Sequence, residues 1–290
     1  MKEKIKILSE LTKFRITFFV TVTAVFGFVS YSGEVNSLLI APALGILFLA
    51  CGSAVLNHFQ ERSTDAIMIR TKNRPIPSGK ISPSSALYVF GFLSLVGALL
   101  LFISSGWIAL FLGLLNLVWY NAIYTPLKKK TALAIIPGSL VGAIPPMIGW
   151  VAAGGYIFDP AILMIAFFFF VWQIPHFWLL LLMLNKDYES AGFPTITKIF
   201  NHEQLSRITF IWIAATAVSG ILIPLYGLTN FSLINIALFV SGIWLTFKAA
   251  KLITHSNTHF EIMPAFRQIN VFALIVIILI SLDKLLSNFN

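Results

Sequence analysis

SLLIAPALGILFLACGSAVL, residues 37–56, runs without a break into Asn57-His58-Phe59-Gln60-Glu61-Arg62-Ser63-Thr64-Asp65. An uncharged apolar run of about 20 residues is what an α-helix needs to cross a hydrocarbon core of about 30 Å. The first part therefore reads as a membrane span and the second as its polar exit. The same alternation recurs at residues 14–32, 86–104, 107–124, 132–152, 161–184, 207–227, 231–250 and 267–286. Composition agrees: 58% of the 290 residues are hydrophobic and 11% charged, with a mean hydropathy of +0.89, whereas a soluble domain carries about 25% charged residues. The expected fold is an all-α membrane protein, a bundle of nine transmembrane helices around a central cavity. It forms one integral membrane domain over residues 1–290, with no room for a soluble one. The single cysteine, Cys51, lies inside an apolar run, which excludes a disulfide framework and a Cys-based metal site.

A formal net charge of +9 would suit nucleic acid, but the distribution of the bases points to membrane topology instead. With the N-terminus inside, Lys2, Lys4, Lys6, Lys13 and Arg15 lie on the cytoplasmic side. The connections 57–85, 125–131, 185–206 and 251–266 and the span ends beside them hold the other bases on that side. Of the 20 lysines and arginines only Lys284 falls outside. The N-terminus is expected to be cytoplasmic and the C-terminus outside, with no nucleic-acid partner and with membrane lipids as the surroundings. The first span is too long for a signal-peptide core and lacks a small-residue cleavage site, so it is expected to be retained; an organelle transit leader is not expected.

The outward connections are short and plain, while the inward ones carry acids, bases and prolines. The chemistry is therefore expected at the cytoplasmic face, where the central cavity opens. Asn57, Glu61 and Asp65 follow one another at i, i+4 and i+8, positions that share one helix face, rising about 6 Å per step. Hard oxygens in that arrangement suit Mg²⁺, usually held by one or two carboxylates with substrate phosphate completing its shell. Arg62, Arg70, Lys72 and Arg74 follow at once, and bases for an anion beside acids for a metal describe a diphosphate site. A solvated helix end with weak surface pairs is the plain alternative. A second pole is Trp172-Gln173-Ile174-Pro175-His176-Phe177, where a proline interrupts a span, followed by Asp187 at the exit. His176 is an intramembrane polar residue and so a functional candidate, or else a hydrogen-bond partner of a neighbouring helix. Tyr120 and Tyr124 lie at the boundary, where belt anchoring is the ordinary role; Lys128 beyond them is near enough to help with phosphate. Asn201 and Gln204 have the spacing of a capping box that starts a short interfacial helix.

Asn57-x3-Glu61-x3-Asp65-x2-Met68-x-Arg70-Thr71-x2-Arg74-Pro75-x-Pro77-x-Gly79, with Tyr124-Thr125-Pro126-Leu127-Lys128, Pro145-Pro146-x2-Gly149-Trp150, Trp172-Gln173-x-Pro175-His176-Phe177 and Asp187-Tyr188-x2-Ala191-Gly192-x-Pro194, closely resembles the protoheme IX farnesyltransferase (heme O synthase) family. That family is one branch of the intramembrane aromatic prenyltransferases. The resemblance runs from about Leu11 to Pro194; the last third offers only compatible hydropathy. Phe14 stands where the family often has proline, Thr195 where it often has an apolar residue, and Ala191 where the wider superfamily has a second aspartate after Asp187. The resemblance implies transfer of a farnesyl group from farnesyl diphosphate to a vinyl group of heme B, giving heme O, in a bacterial inner (plasma) membrane. It implies Mg²⁺ on Asn57, Glu61, Asp65 and Asp187, and diphosphate on Arg62, Arg70, Lys72, Arg74 and Lys128. Tyr120, Tyr124 and Trp172 would flank the substrates, with Trp172 or Tyr124 shielding an allylic cation. His176 would orient heme, as an axial ligand or through a propionate. Association with other heme-pathway or oxidase-assembly proteins is a further expectation. A related enzyme with a quinone or phenolic acceptor, an organic-anion transporter and a structural subunit are the alternatives.

Overall fold

A computed structural model describes residues 2–254 and 262–288. Its helices are α1 (Lys2–Leu11), α2 (Phe14–Ser32), α3 (Ile40–Ile67), α4 (Pro83–Val118), α5 (Thr125–Leu127), α6 (Ile135–Gly138), α7 (Leu140–Ala152), α8 (Pro160–Met183), α9 (Asn185–Ser190), α10 (His202–Leu222), α11 (Ser232–Thr254) and α12 (Ile262–Ser287). A π-turn over Trp119–Tyr124 joins α4 to α5. Among the described residues there is no strand, and the chain is a multi-pass membrane protein.

Among the described residues eight helical segments are long and apolar enough to cross a membrane, against nine expected. The difference lies in one of them, Pro83–Leu127, 45 residues long. Inside it Gly106 has φ 76° and ψ −168°, a backbone conformation essentially restricted to glycine. The chain doubles back there. A Cβ built on Gly113 would sit 2.8 Å from Leu101 Cδ1, although a straight helix would hold these residues about 18 Å apart. The two arms of this segment match the separate spans that the sequence suggests at 86–104 and 107–124.

The two largest apolar cores divide the bundle. One joins α2, α3, α4 and α7 through Ala24, Leu49, Leu101, Leu112 and Ile148. The other joins α8, α10, α11 and α12 through Ile165, Phe168, Ile213, Leu245 and Phe272. Within the first half, a Cβ on Gly27 would lie 2.0 Å from the Pro146 carbonyl oxygen and one on Gly149 1.8 Å from that of Ala24. Glycine thus lets α2 and α7 pack backbone against backbone, as helices in lipid prefer. Contacts of α7 with α8 and of α2 with α12 join the halves.

Asn201 and Gln204 do form a reciprocal capping box, but it opens α10, a 21-residue helix, rather than a short interfacial one. Polar turns continue both helices beyond the apolar spans expected at 207–227 and 37–56. At the other end of the bundle the buried Asp283 accepts from the backbone N–H of Asn230 (2.8 Å) and of Phe231 (3.0 Å), immediately before α11. A buried carboxylate there satisfies donors that the start of a helix leaves free.

Candidate functional site

α3 runs on past its apolar portion for nearly three turns, and its polar face turns into the protein. Asn57 and Asp65 are fully buried and Glu61 is 4% exposed, so the plain alternative of a solvated helix end does not describe them. Each meets one cation from a different part of the chain. Lys13 Nζ donates to Asn57 Oδ1 at 2.6 Å, Lys128 pairs with Glu61, and Arg74 Nη1 donates to both oxygens of Asp65 at 2.8 and 2.7 Å. Thr125 and Thr71 complete the frame: Asn57 Nδ2 donates to Thr125 Oγ1 (3.2 Å), and Thr71 Oγ1 donates to the Asp65 carbonyl (2.9 Å). Three acceptor side chains and three cations are thus interleaved at one end of the bundle. Buried charges are tolerated only when paired in this way.

Local backbone positions these cations. Lys13, between α1 and α2, has φ 48° and ψ 46° and is the only non-glycine with positive φ among the described residues. Left-handed backbone at a non-glycine residue costs about 1–2 kcal/mol, and here it turns the amine beneath α3. Burial, and then Arg74 nearby, lowers the Lys13 amine from its usual 10.5 to about 7. Burial also acts to lower Lys128, but Glu61 and neighbouring groups outweigh it and hold the ammonium above its ordinary value. The π-turn carries the aromatic side of the site. Tyr120 and Tyr124 lie 5.7 Å apart, Tyr124 stacks on Phe177 at 5.9 Å, and the Lys128 ammonium stands 5.6 Å from the Tyr124 ring.

Other candidates lie further off. Arg62 folds back on its own helix, donating to the Phe59 carbonyl at 2.7 Å and covering the Phe59 ring, and is exposed. Arg70 and Lys72 are exposed. Asp187 accepts the Arg70 backbone N–H at 3.4 Å, which ties α9 to the connection after α3. Among the described residues no three His, Cys, Asp or Glu side chains gather as a metal group. Trp172 Nε1 donates to the Ile269 carbonyl at 3.1 Å, and His176 Nδ1 meets Asn270 Oδ1 at 2.8 Å, so both point toward α12. The His176 and Phe177 rings are 5.7 Å apart, which links this pair through Phe177 and Tyr124 to the charged cluster. The sequence assigns no site role to Lys13, Thr125 or Asn270, and Thr125 stands there only within a quoted motif. Lys13 is counted there only as a topology signal. Asn270 is an amide inside a span, the same signal that singles out His176.

Over residues 18–266 the chain matches the UbiA prenyltransferase family. It is 32% identical over 281 residues to the protoheme IX farnesyltransferase of Oleidesulfovibrio alaskensis, covering 97% of each chain. It is 38% identical over 207 residues to that of Geobacter sulfurreducens, covering 71% of this chain and 76% of the relative. Its fold matches that of a digeranylgeranylglyceryl phosphate synthase with a TM-score of 0.80 at 15% identity, over 98% and 99% of the two chains. It also matches a UbiA homolog from Archaeoglobus fulgidus bound to GPP and Mg²⁺, with a TM-score of 0.70 at 14% identity over 96% and 99%.

Proposed function

The chain belongs to the UbiA prenyltransferase family, and we propose that it transfers a farnesyl group from farnesyl diphosphate to a vinyl group of heme B, giving heme O. The observation that carries this reading is the interleaving of Asn57, Glu61 and Asp65 with Lys13, Lys128 and Arg74. Without substrate Glu61 and Asp65 neutralise Lys128 and Arg74, while the Asn57 amide oxygen holds the Lys13 amine. When an allylic diphosphate arrives, the three cations turn to its oxygens, and the amide and two carboxylates are released toward a divalent cation.

The donor set fits Mg²⁺: hard oxygens only, two carboxylates and an amide, too few alone and therefore dependent on substrate phosphate. Bound there on Asn57, Glu61 and Asp65, Mg²⁺ would supply charge neutralisation for the departing diphosphate. The chain's own groups do the rest. Lys13, Lys128 and Arg74 hold the oxygens on which negative charge grows as the carbon–oxygen bond breaks. Tyr124, with Tyr120 and Phe177 beside it, offers ring faces to the allylic cation and keeps water from it. The terminal vinyl carbon attacks the cation, and the charge left on the adjoining carbon is taken by water, which loses a proton. Trp172 and His176 border the acceptor. Asp187 orders the Arg70 segment, with the exposed Arg70 and Lys72 attracting the anion from solvent rather than gripping it. Arg62 is left on the outer surface.

The reading carries a topology as well. Counting the two arms around Gly106 separately gives nine crossings of a bacterial plasma membrane, in one domain, with the Lys13 end facing the cytoplasm. Purified protein in lipid, given Mg²⁺, farnesyl diphosphate and heme B, should yield heme O and free pyrophosphate by mass spectrometry. Prenylation of a phenol or quinone with heme B untouched would move the acceptor assignment. Uptake of the diphosphate without its cleavage would leave a transporter.

A further inference from the structure

Asn270 on α12 has a single amide and two partners. Its Nδ2 donates to the Phe266 carbonyl at 2.6 Å, and its Oδ1 faces His176 Nδ1 at 2.8 Å. The first contact fixes the second. A peptide carbonyl can only accept, so the NH₂ must lie on that side and the amide oxygen toward the histidine. An oxygen can only accept in turn, so His176 Nδ1 carries the proton. In the neutral ring the lone pair then belongs to Nε2, which has no hydrogen-bond partner among the described residues. The surroundings favour the neutral ring, since the imidazole is packed among Trp172 (4.8 Å), Phe266 (4.9 Å) and Phe177 (5.7 Å). An unpaired charge among such rings within a span would be costly.

A lone pair at Nε2 decides what the ring can recognise. It repels a propionate, which offers only acceptors, and it suits a metal. Histidine ligands to metals commonly donate their other N–H to an oxygen that fixes tautomer and ring orientation. Two adjacent hydrogen bonds to α12, from Trp172 Nε1 to the Ile269 carbonyl and from His176 to Asn270, hold the ring in place. We propose that Asn270 is a positioning residue that locks His176 as its Nδ1–H tautomer, so that Nε2 recognises the acceptor through a porphyrin-bound iron. This rests on the heme reading of the acceptor and makes it specific: vinyl groups and propionates are not sufficient, and the metal is required.

The test uses full-length protein in lipid nanodiscs, titrated with heme B and with metal-free protoporphyrin IX, which keeps the vinyls and propionates. Binding is followed by absorption and ligation by resonance Raman. Heme B is expected to bind about tenfold or more tighter than protoporphyrin IX, with an iron–imidazole stretching band that His176→Ala abolishes. Asn270→Leu should weaken heme B by about 10- to 100-fold and leave protoporphyrin IX unchanged. Asn270→Asp, whose carboxyl oxygen still accepts from Nδ1, should restore heme binding and raise the iron–imidazole frequency. Equal affinity for the two porphyrins, or a stretching band that survives in His176→Ala, overturns the proposal. Equal losses for both porphyrins in Asn270→Leu and Asn270→Asp also overturn it, since they mark packing alone. If the wild type makes heme O while any of these results holds, only this inference falls. If it binds no porphyrin and prenylates a phenol, the heme reading falls with it.

Discussion

Lys13 shows at the scale of one residue how the site and the fold pull against each other. Its backbone is held in the left-handed region, and its amine is buried among charges that lower it to about 7 from 10.5. Neither feature favours the folded chain. Glycine would adopt the same backbone freely, so Lys13→Gly is expected to melt at or above the wild-type temperature. Farnesyl diphosphate binding should weaken about tenfold or more, since a charged hydrogen bond to phosphate is worth about 1.5–3 kcal/mol. The pH dependence follows in sign. Between about 7 and 10.5 the unfolded chain carries a proton on this amine that the folded chain has lost, so stability without substrate rises with pH across that window. Thermal melts of wild type and Lys13→Gly at pH 7 and pH 9 measure it; the rise should shrink in the variant. The sequence displays Lys13 only as one of five bases at the N-terminal end, because both features arise from how the chain turns between α1 and α2.

Among the elements, the helix ends decide more than the apolar runs do. The spans were legible in hydropathy, but Asn57, Glu61 and Asp65 work because α3 continues through them to Ile67, where hydropathy would stop it at Leu56. Capping chemistry was legible too, although Asn201 and Gln204 open a full span. The cap on α11 was not. It comes from Asp283, about fifty residues later in sequence on α12, and no local spacing announces a partner so distant. Asp283 is fully buried, and its removal would leave the Asn230 and Phe231 N–H groups without an acceptor. Asp283→Ala should cost about 2–4 kcal/mol of stability, read as a lower melting temperature in detergent. Farnesyl diphosphate affinity should be unchanged in the fraction that folds, because Asp283 stands at the opposite end of the bundle from Lys13. Gly106 is a similar case: its turn divides one long apolar segment into two arms, and the sequence marked it through the short Ser104-Ser105-Gly106 break.

For the whole molecule, two packed halves meet beside one charged cluster, and much of that was readable. The bundle, the acid face of α3, Arg74 and Lys128 follow from spacing and charge, because helix periodicity brings i, i+4 and i+8 together. Arg62, Arg70 and Lys72 join them by nearness in sequence and Asp187 by the family resemblance; the structure separates Arg62 to an outer face and brings Asp187 to the Arg70 backbone. Long-range partners such as Lys13 with Asn57 and Asn270 with His176 depend on how the halves dock, which periodicity does not encode. In the proposed reaction the three acceptors, with their three cations, ionise the allylic diphosphate. Single-turnover pyrophosphate release from farnesyl diphosphate, with Mg²⁺ and heme B present, measures it most directly in wild type, Glu61→Gln and Asp65→Asn. Release is expected to slow by about 10²–10³-fold in each variant, with the helical spectrum preserved. Wild-type release rates in both variants would contradict it.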